Sequence, residues 1–289
     1  MLTTSEILKR VRRIEIKTRG LSNHIFAGEY HSTFKGRGMS FSEVREYTPG
    51  DDVKSIDWNV TARFSHPFVK VFEEERELTV MLLVDISGSS LFGLHQRSKR
   101  ELLTEISAVL AFSAATNNDK VGIILFSDKV EKFIPPQKGK SHILRIIREL
   151  VALDADHTGN TDVSVALDYL NHVLKKRTIS FLMSDFISKP FDKPLQLASR
   201  KHDLIGVQVY DRADRELPAA GLLQVADAES GNQIWIDSDD KKVRMNYTKA
   251  FDQYRQYAQS VFRKSGASLL SLRTDEDYVK QLQSFFKGR

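Results

Sequence analysis

The sequence predicts an α/β domain, a mainly parallel sheet with helices on both faces and a smaller unit ahead of it. From about residue 78, short apolar runs alternate with stretches of helical periodicity. Those runs are continuous, as in Val80-Met81-Leu82-Leu83-Val84, which suits strands covered on both sides. An oxygen-rich segment, Asp85-Ile86-Ser87-Gly88-Ser89, follows the first run, where open α/β sheets bind their ligands.

Residues 1–38 read as a basic, partly helical leader. Lys9, Arg10, Arg12, Arg13, Lys17, Arg19, Lys35 and Arg37 face only Glu6, Glu15 and Glu29 there, which supplies the whole net charge of +5. Ile7, Val11 and Ile14 follow helical spacing and would dock one face. The charged face is either solvated or a contact for nucleic acid or an acidic surface. Residues 39–77 read as a small β-rich appendage. Ile56, Trp58, Val60 and Ala62 alternate with Asp57, Asn59 and Thr61, which predicts a half-buried strand, and residues 68–72 predict another. Between strand-like segments, Thr48-Pro49-Gly50-Asp51 predicts a turn, with proline preset at one corner and glycine free to take positive φ at the next.

The main domain is expected over residues 78–289. After the first strand, Leu102, Leu103, Ile106, Val109 and Leu110 mark an amphipathic helix ending near Asn117. A second buried strand follows at 121–126, and residues 130–134 hairpin back beside it. Helices are predicted near 141–151 and 162–175, then buried strands at 179–183 and 204–209. An inserted hairpin is expected within about 214–240, Leu223 and Val225 facing Ile234 and Ile236 across Glu229-Ser230-Gly231-Asn232. A helix near 245–264, a strand at 268–272 and a helix from about 275 close the chain.

Composition narrows the functional classes. Hydrophobic residues at 41% and charged residues at 28% are ordinary for a globular protein. No apolar run approaches the roughly 18 residues needed to span a bilayer, and the N-terminus lacks a signal peptide's pattern, so a cytoplasmic location is expected. The absence of cysteine excludes disulfides, thiolate metal sites and cysteine nucleophiles.

Asp85, Ser87 and Ser89 offer one carboxylate and two hydroxyls, hard donors suited to Mg²⁺ or Mn²⁺ and ill-suited to zinc. Alone the segment is ambiguous, because Asp, Ser and Gly also build ordinary turns. Asp185 stands at the same kind of strand end. Thr161, in Gly159-Asn160-Thr161-Asp162, opens a helix, where it is either an N-cap or a further oxygen donor.

Together, Asp-x-Ser-x-Ser after the first strand, threonine in a Gly-x-Thr-Asp loop and Ser-Asp ending a later strand resemble the metal-ion-dependent adhesion site of von Willebrand A domains. The resemblance implies a von Willebrand A-like, Rossmann-type fold and one Mg²⁺ (or Mn²⁺) on Asp85, Ser87, Ser89, Thr161 and Asp185. It also implies one open coordination position for a partner's acidic side chain. Upstream, Gly36-Arg37-Gly38, the run Phe41 to Val53, Ile56-Asp57-Trp58 and Thr61-Ala62-Arg63 resemble the signature of domain-of-unknown-function family 58. That likeness runs from about residue 15 to beyond 245. It implies association with a MoxR-type AAA+ ATPase. The N-terminal membrane helices of some members are missing, and Ser90 stands where many relatives have methionine. Arg45, Glu46, Asp51, Asp52, Asp57 and Arg63 form either a second site or an ion-pair and turn network.

Enzymatic readings find less. A haloacid-dehalogenase-type phosphotransferase would need a second carboxylate where Ser87 stands, and the P-loop echo Gly139-Lys140-Ser141 meets Ile134 where a glycine is required. There is no Gly-x-Ser-x-Gly elbow and no His-Glu-x-x-His, and His95, His157 and His172 read as surface residues. The expectation is a non-enzymatic, Mg-dependent protein-binding module, an adaptor or co-chaperone of a MoxR-type ATPase. A metal-dependent hydrolase, and nucleic-acid binding through the leader, are the alternatives.

Overall fold

The computed structural model describes residues 6, 9, 40–64, 66–73, 78–93, 97–152, 160–226 and 233–288. The expected leader helix, His95, His157 and the tip of the inserted hairpin lie outside them. The chain forms two compact units, one within Tyr30–Leu78 and one from Thr79 onward.

In the first unit, β1 (Ser40–Glu46) pairs antiparallel with β2 (Phe68–Glu73). The predicted turn between them forms: the Asp51 amide donates to the Thr48 carbonyl at 3.0 Å, and Gly50 takes φ +112°. The predicted strand over Ile56–Ala62 does not form. Only Ile56 is extended, bridging Val69, and Trp58–Phe64 is a helix, α1. The reason is local. Asp57 accepts from the amides of Asn59 at 3.0 Å and Val60 at 3.3 Å, which satisfies the first turn of a helix and overrides the alternating pattern. The charged residues of this unit serve its turns. Arg45 holds Asp51 in a bidentate pair at 2.7 and 2.8 Å, Asp52 caps a short 3₁₀ turn, and Asp57 pairs with Lys70 at 3.4 Å. The Arg45 guanidinium keeps the Asp51 carboxyl well below the ordinary carboxylate range.

The second unit is a six-stranded sheet in the order β10-β7-β6-β3-β4-β5, parallel except for β5. The strands are β3 (Thr79–Asp85), β4 (Lys120–Phe126), β5 (Val130–Gln137), β6 (Ile179–Ser184), β7 (Asp203–Tyr210) and β10 (Ser268–Arg273). A separate antiparallel hairpin, β8 (Leu222–Ala226) with β9 (Gln233–Asp237), is the predicted insertion. Ile134 lies buried within β5, so no phosphate-binding loop can run through it.

The helices are α2 (Lys99–Thr116), α3 (Lys140–Ala152), α4 (Val163–Val173), α5 (Asp192–Lys201), the short α6 (Arg212–Arg215), α7 (Lys241–Lys264) and α8 (Tyr278–Lys287). On one face, Met81, Leu83, Ile124, Phe126 and Leu182 pack against α4, α5 and α7. On the other, Met183 meets Ser107 of α2, and Phe181 meets Phe286 of α8. Helices therefore cover both faces, as predicted, and α5 is an element the sequence reading did not place.

The order of strands locates the crevice. From β3 the chain steps through α2 to β4 on one side, then returns through α4 to β6 on the other. Because successive crossovers leave in opposite directions, the carboxyl ends of β3 and β6 border a gap open to ligand.

Candidate functional site

All five predicted ligands gather at that gap. Asp85 ends β3, Ser87 stands at the N-cap of a 3₁₀ turn (Gly88–Leu91) that contains Ser89, and Asp185 follows β6. Thr161 arrives on the loop before α4, held there by the Asp162 amide, which donates to the Ser127 carbonyl at 2.9 Å. Asp162, not Thr161, caps α4. The threonine hydroxyl instead donates to Ser87 Oγ at 2.8 Å, and Ser87 Oγ lies 3.1 Å from Ser89 Oγ. Three hydroxyls thus form a chain beside two carboxylates.

Asp85 and Asp185 are held from below. The Oδ1 of Asp85 accepts from the Ser87 amide at 2.9 Å, and its Oδ2 from Ser184 Oγ at 2.6 Å. Asp185 Oδ1 accepts from the Ile187 amide at 3.1 Å, while its carbonyl accepts from Gln208 Nε2 at 3.2 Å. Phe186, between them, sits at φ +59°, an uncommon conformation for a bulky residue. Its ring is clamped by Phe191 and Phe262, so core packing holds a strained peptide next to the Asp185 carboxylate.

Both carboxylates are buried, and burial together with the charge of Asp185 pushes Asp85 up to about 6. Two buried carboxylates, with hydroxyls alongside and neither nitrogen nor sulfur among the candidate donors, fit a hard divalent cation. Among the described residues no group of three or more His, Asp or Glu side chains could hold an ion, so the hydroxyls would have to complete the set.

A family model described as "Protein of unknown function DUF58" matches residues 43–257. The chain belongs to the DUF58 family. An uncharacterized protein of Mycobacterium tuberculosis is 30% identical over 282 residues, 96% of this chain and 88% of its own. Among solved structures, an aerotolerance-related membrane protein from Bacteroides fragilis aligns at TM-score 0.50 and 15% identity. It covers 73% of this chain and all of its own, a likeness that speaks to the fold alone. The von Willebrand A domain of SpRpn10 aligns at TM-score 0.39 and 9% identity, covering 72% and 94%. This DUF58 protein has an α/β fold built on a mainly parallel sheet, and none of its described helices is long and apolar enough to cross a membrane.

The sequence reading missed a second tier of the DUF58 site. Sequence pattern marks Ser184 only as part of a strand end, yet its hydroxyl fixes Asp85. Arg100 donates to the Ile86 carbonyl at 2.7 Å and to Ser90 Oγ at 3.2 Å, bracing the Asp-x-Ser-x-Ser loop. Lys99 is 2% exposed and reaches Asp185 at 2.9 Å and Asp214 of α6 at 3.1 Å. No spacing rule marks Lys99 or Arg100. The available signal was two adjacent cations opening a helix, where the macrodipole disfavours positive charge.

Proposed function

We propose that this DUF58 protein is a non-enzymatic protein-binding module that holds Mg²⁺ or Mn²⁺ on Asp85, Ser87, Ser89, Thr161 and Asp185 for recognition of an acidic side chain. The resemblance to family members associated with MoxR-type AAA+ ATPases makes such an ATPase the expected partner. One observation carries the reading. Oxygen donors from three separate loops converge at the carboxyl ends of β3 and β6.

The bound ion would supply a concentrated positive charge with room for one further oxygen ligand. The chain's own groups do the rest. Ser184 and the Ser87 amide aim the Asp85 carboxylate, Gln208 and the Ile187 amide fix the Asp185 loop, and Asp162 anchors the loop that brings Thr161. Because Thr161 joins through a loop of its own, its approach can differ between free and partner-bound states.

The test is capture of the ATPase by the intact protein, with and without EDTA. Capture should require Mg²⁺ and should be lost in Asp85→Ala and Ser87→Ala, with folding retained. Thr161→Val keeps the side chain's size, removes its oxygen, and should weaken capture more than it weakens Mg²⁺ binding. Capture that survives both EDTA and Asp85→Ala would refute the reading.

A further inference from the structure

Lys99 has an unusual combination of features. It is the first residue of α2, capped by Ser98, so its ammonium sits at the positive end of a long helix. It is buried, and burial alone would disfavour its charge. It is retained there by Asp185 at 2.9 Å, by Asp214 at 3.1 Å and by the ring of Phe92 at 5.8 Å. One of these three is a candidate ion ligand, whereas Asp214 belongs to α6, outside the ligand set. Asp214 is itself built in, since its Oδ2 accepts from the Asp211 amide at 2.7 Å.

The electrostatic consequence follows from Coulomb's law. A fixed ammonium on Asp185 competes for the charge that a divalent ion would use and repels the ion itself. Asp214 draws the same ammonium the other way. We propose that Lys99 limits how tightly this site holds a divalent ion, and that Asp214 on α6 sets how strongly it does so. This rests on the ion-binding reading above and adds to it a pair of residues outside the five ligands. Through Asp214 the device is tied to α6, whose Arg215 pairs with Asp252 of α7 at 3.1 Å.

The two residues make forecasts of opposite sign, which a merely structural role does not. Isothermal titration of the full chain with Mg²⁺ alone should show Lys99→Met binding at least about tenfold more tightly than the native protein, even at the high effective dielectric of a protein site. Lys99→Arg, which keeps the charge, should stay near native. Asp214→Asn leaves the ammonium wholly to Asp185 and should weaken binding severalfold. Should Lys99→Met fail to fold, Lys99→Gln retains hydrogen-bond donors without charge and tests the same sign. Tighter binding in a neutral Lys99 variant, including binding that appears only there, supports the inference. If the native protein binds Mg²⁺ and the neutral variants bind equally or more weakly, Lys99 is a structural residue while ion binding stands. If no form binds Mg²⁺, the ion-binding reading fails and this inference fails with it.

Discussion

Replacing Asp85 by Asn should stabilise the metal-free protein, although it removes a buried, doubly hydrogen-bonded group. In the folded chain the Asp85 carboxyl is pushed from 3.8 up to about 6 by burial and by the charge of Asp185. An acid whose pKa is raised by folding costs nothing below its unfolded value, where both states are protonated. Between pH 3.8 and 6 the unfolded chain ionises first, and stability falls as pH rises. Above 6 the penalty is constant at about 3 kcal/mol, from roughly 1.4 kcal/mol per pKa unit. Asn keeps an acceptor oxygen for the Ser87 amide, turns an NH2 donor toward Ser184 Oγ in place of the second acceptor, and removes the charge. Thermal unfolding in EDTA at pH 7.5 should therefore show Asp85→Asn melting higher by several degrees, at roughly 2–4 °C per kcal/mol for a unit of this size. The gap should close as pH falls toward 4. Millimolar Mg²⁺ should then close most of this gap, because an ion present at 100 times its dissociation constant adds about 2.7 kcal/mol to the native protein alone. A variant several kcal/mol less stable than native in EDTA at pH 7.5 would show that Asp85 is there to hold the fold.

Two further outcomes test the surrounding structure. His202 is buried with Nδ1 2.9 Å from Thr178 Oγ1, and burial, helped by Lys201 and Arg177, lowers it to about 4. A depressed base contributes stability above its unfolded pKa of 6.5 that is lost toward pH 4, up to about 3 kcal/mol, so the native protein should lose more stability over that window than His202→Asn. Gly206 of β7 faces the Phe262 ring and Leu269 so closely that a Cβ would overlap both. Gly206→Ala should cost about 1–3 kcal/mol by overpacking and lower the melting temperature, with Mg²⁺ affinity unchanged.

The four central strands β3, β4, β6 and β7 were legible because they are buried on both faces and read as nearly unbroken apolar runs. Asp57 shows where pattern fails. Ile56 to Ala62 alternates as a strand should, but one carboxylate accepting two amides turned the segment into α1. A propensity pattern over a few residues is weak evidence, and a cap that satisfies two orphan amides outweighs it. The missed α5 has a different cause. Leu195 and Ala198 are its only fully buried residues, too few for a periodic signal in a ten-residue helix that carries Pro194 in its first turn.

That the five candidate residues cluster was legible because each is a short polar residue at a strand or helix end, and ends are where sheet topology delivers side chains to one edge. Their support was not, because it depends on partners distant in sequence. Lys99 and Asp185 are separated by 86 residues, and Lys99 and Asp214 by 115. Nothing local distinguishes a lysine aimed into such a cluster from one lying in solvent. Only the crossing of α2 over the β3–β6 gap brings its first turn above Asp185, and only α6, leading into the inserted hairpin, brings Asp214 within reach. The charge beside the five candidate residues is therefore set by topology, so moving those five residues into another parallel-sheet scaffold would transfer their oxygens without transferring Lys99 and Asp214.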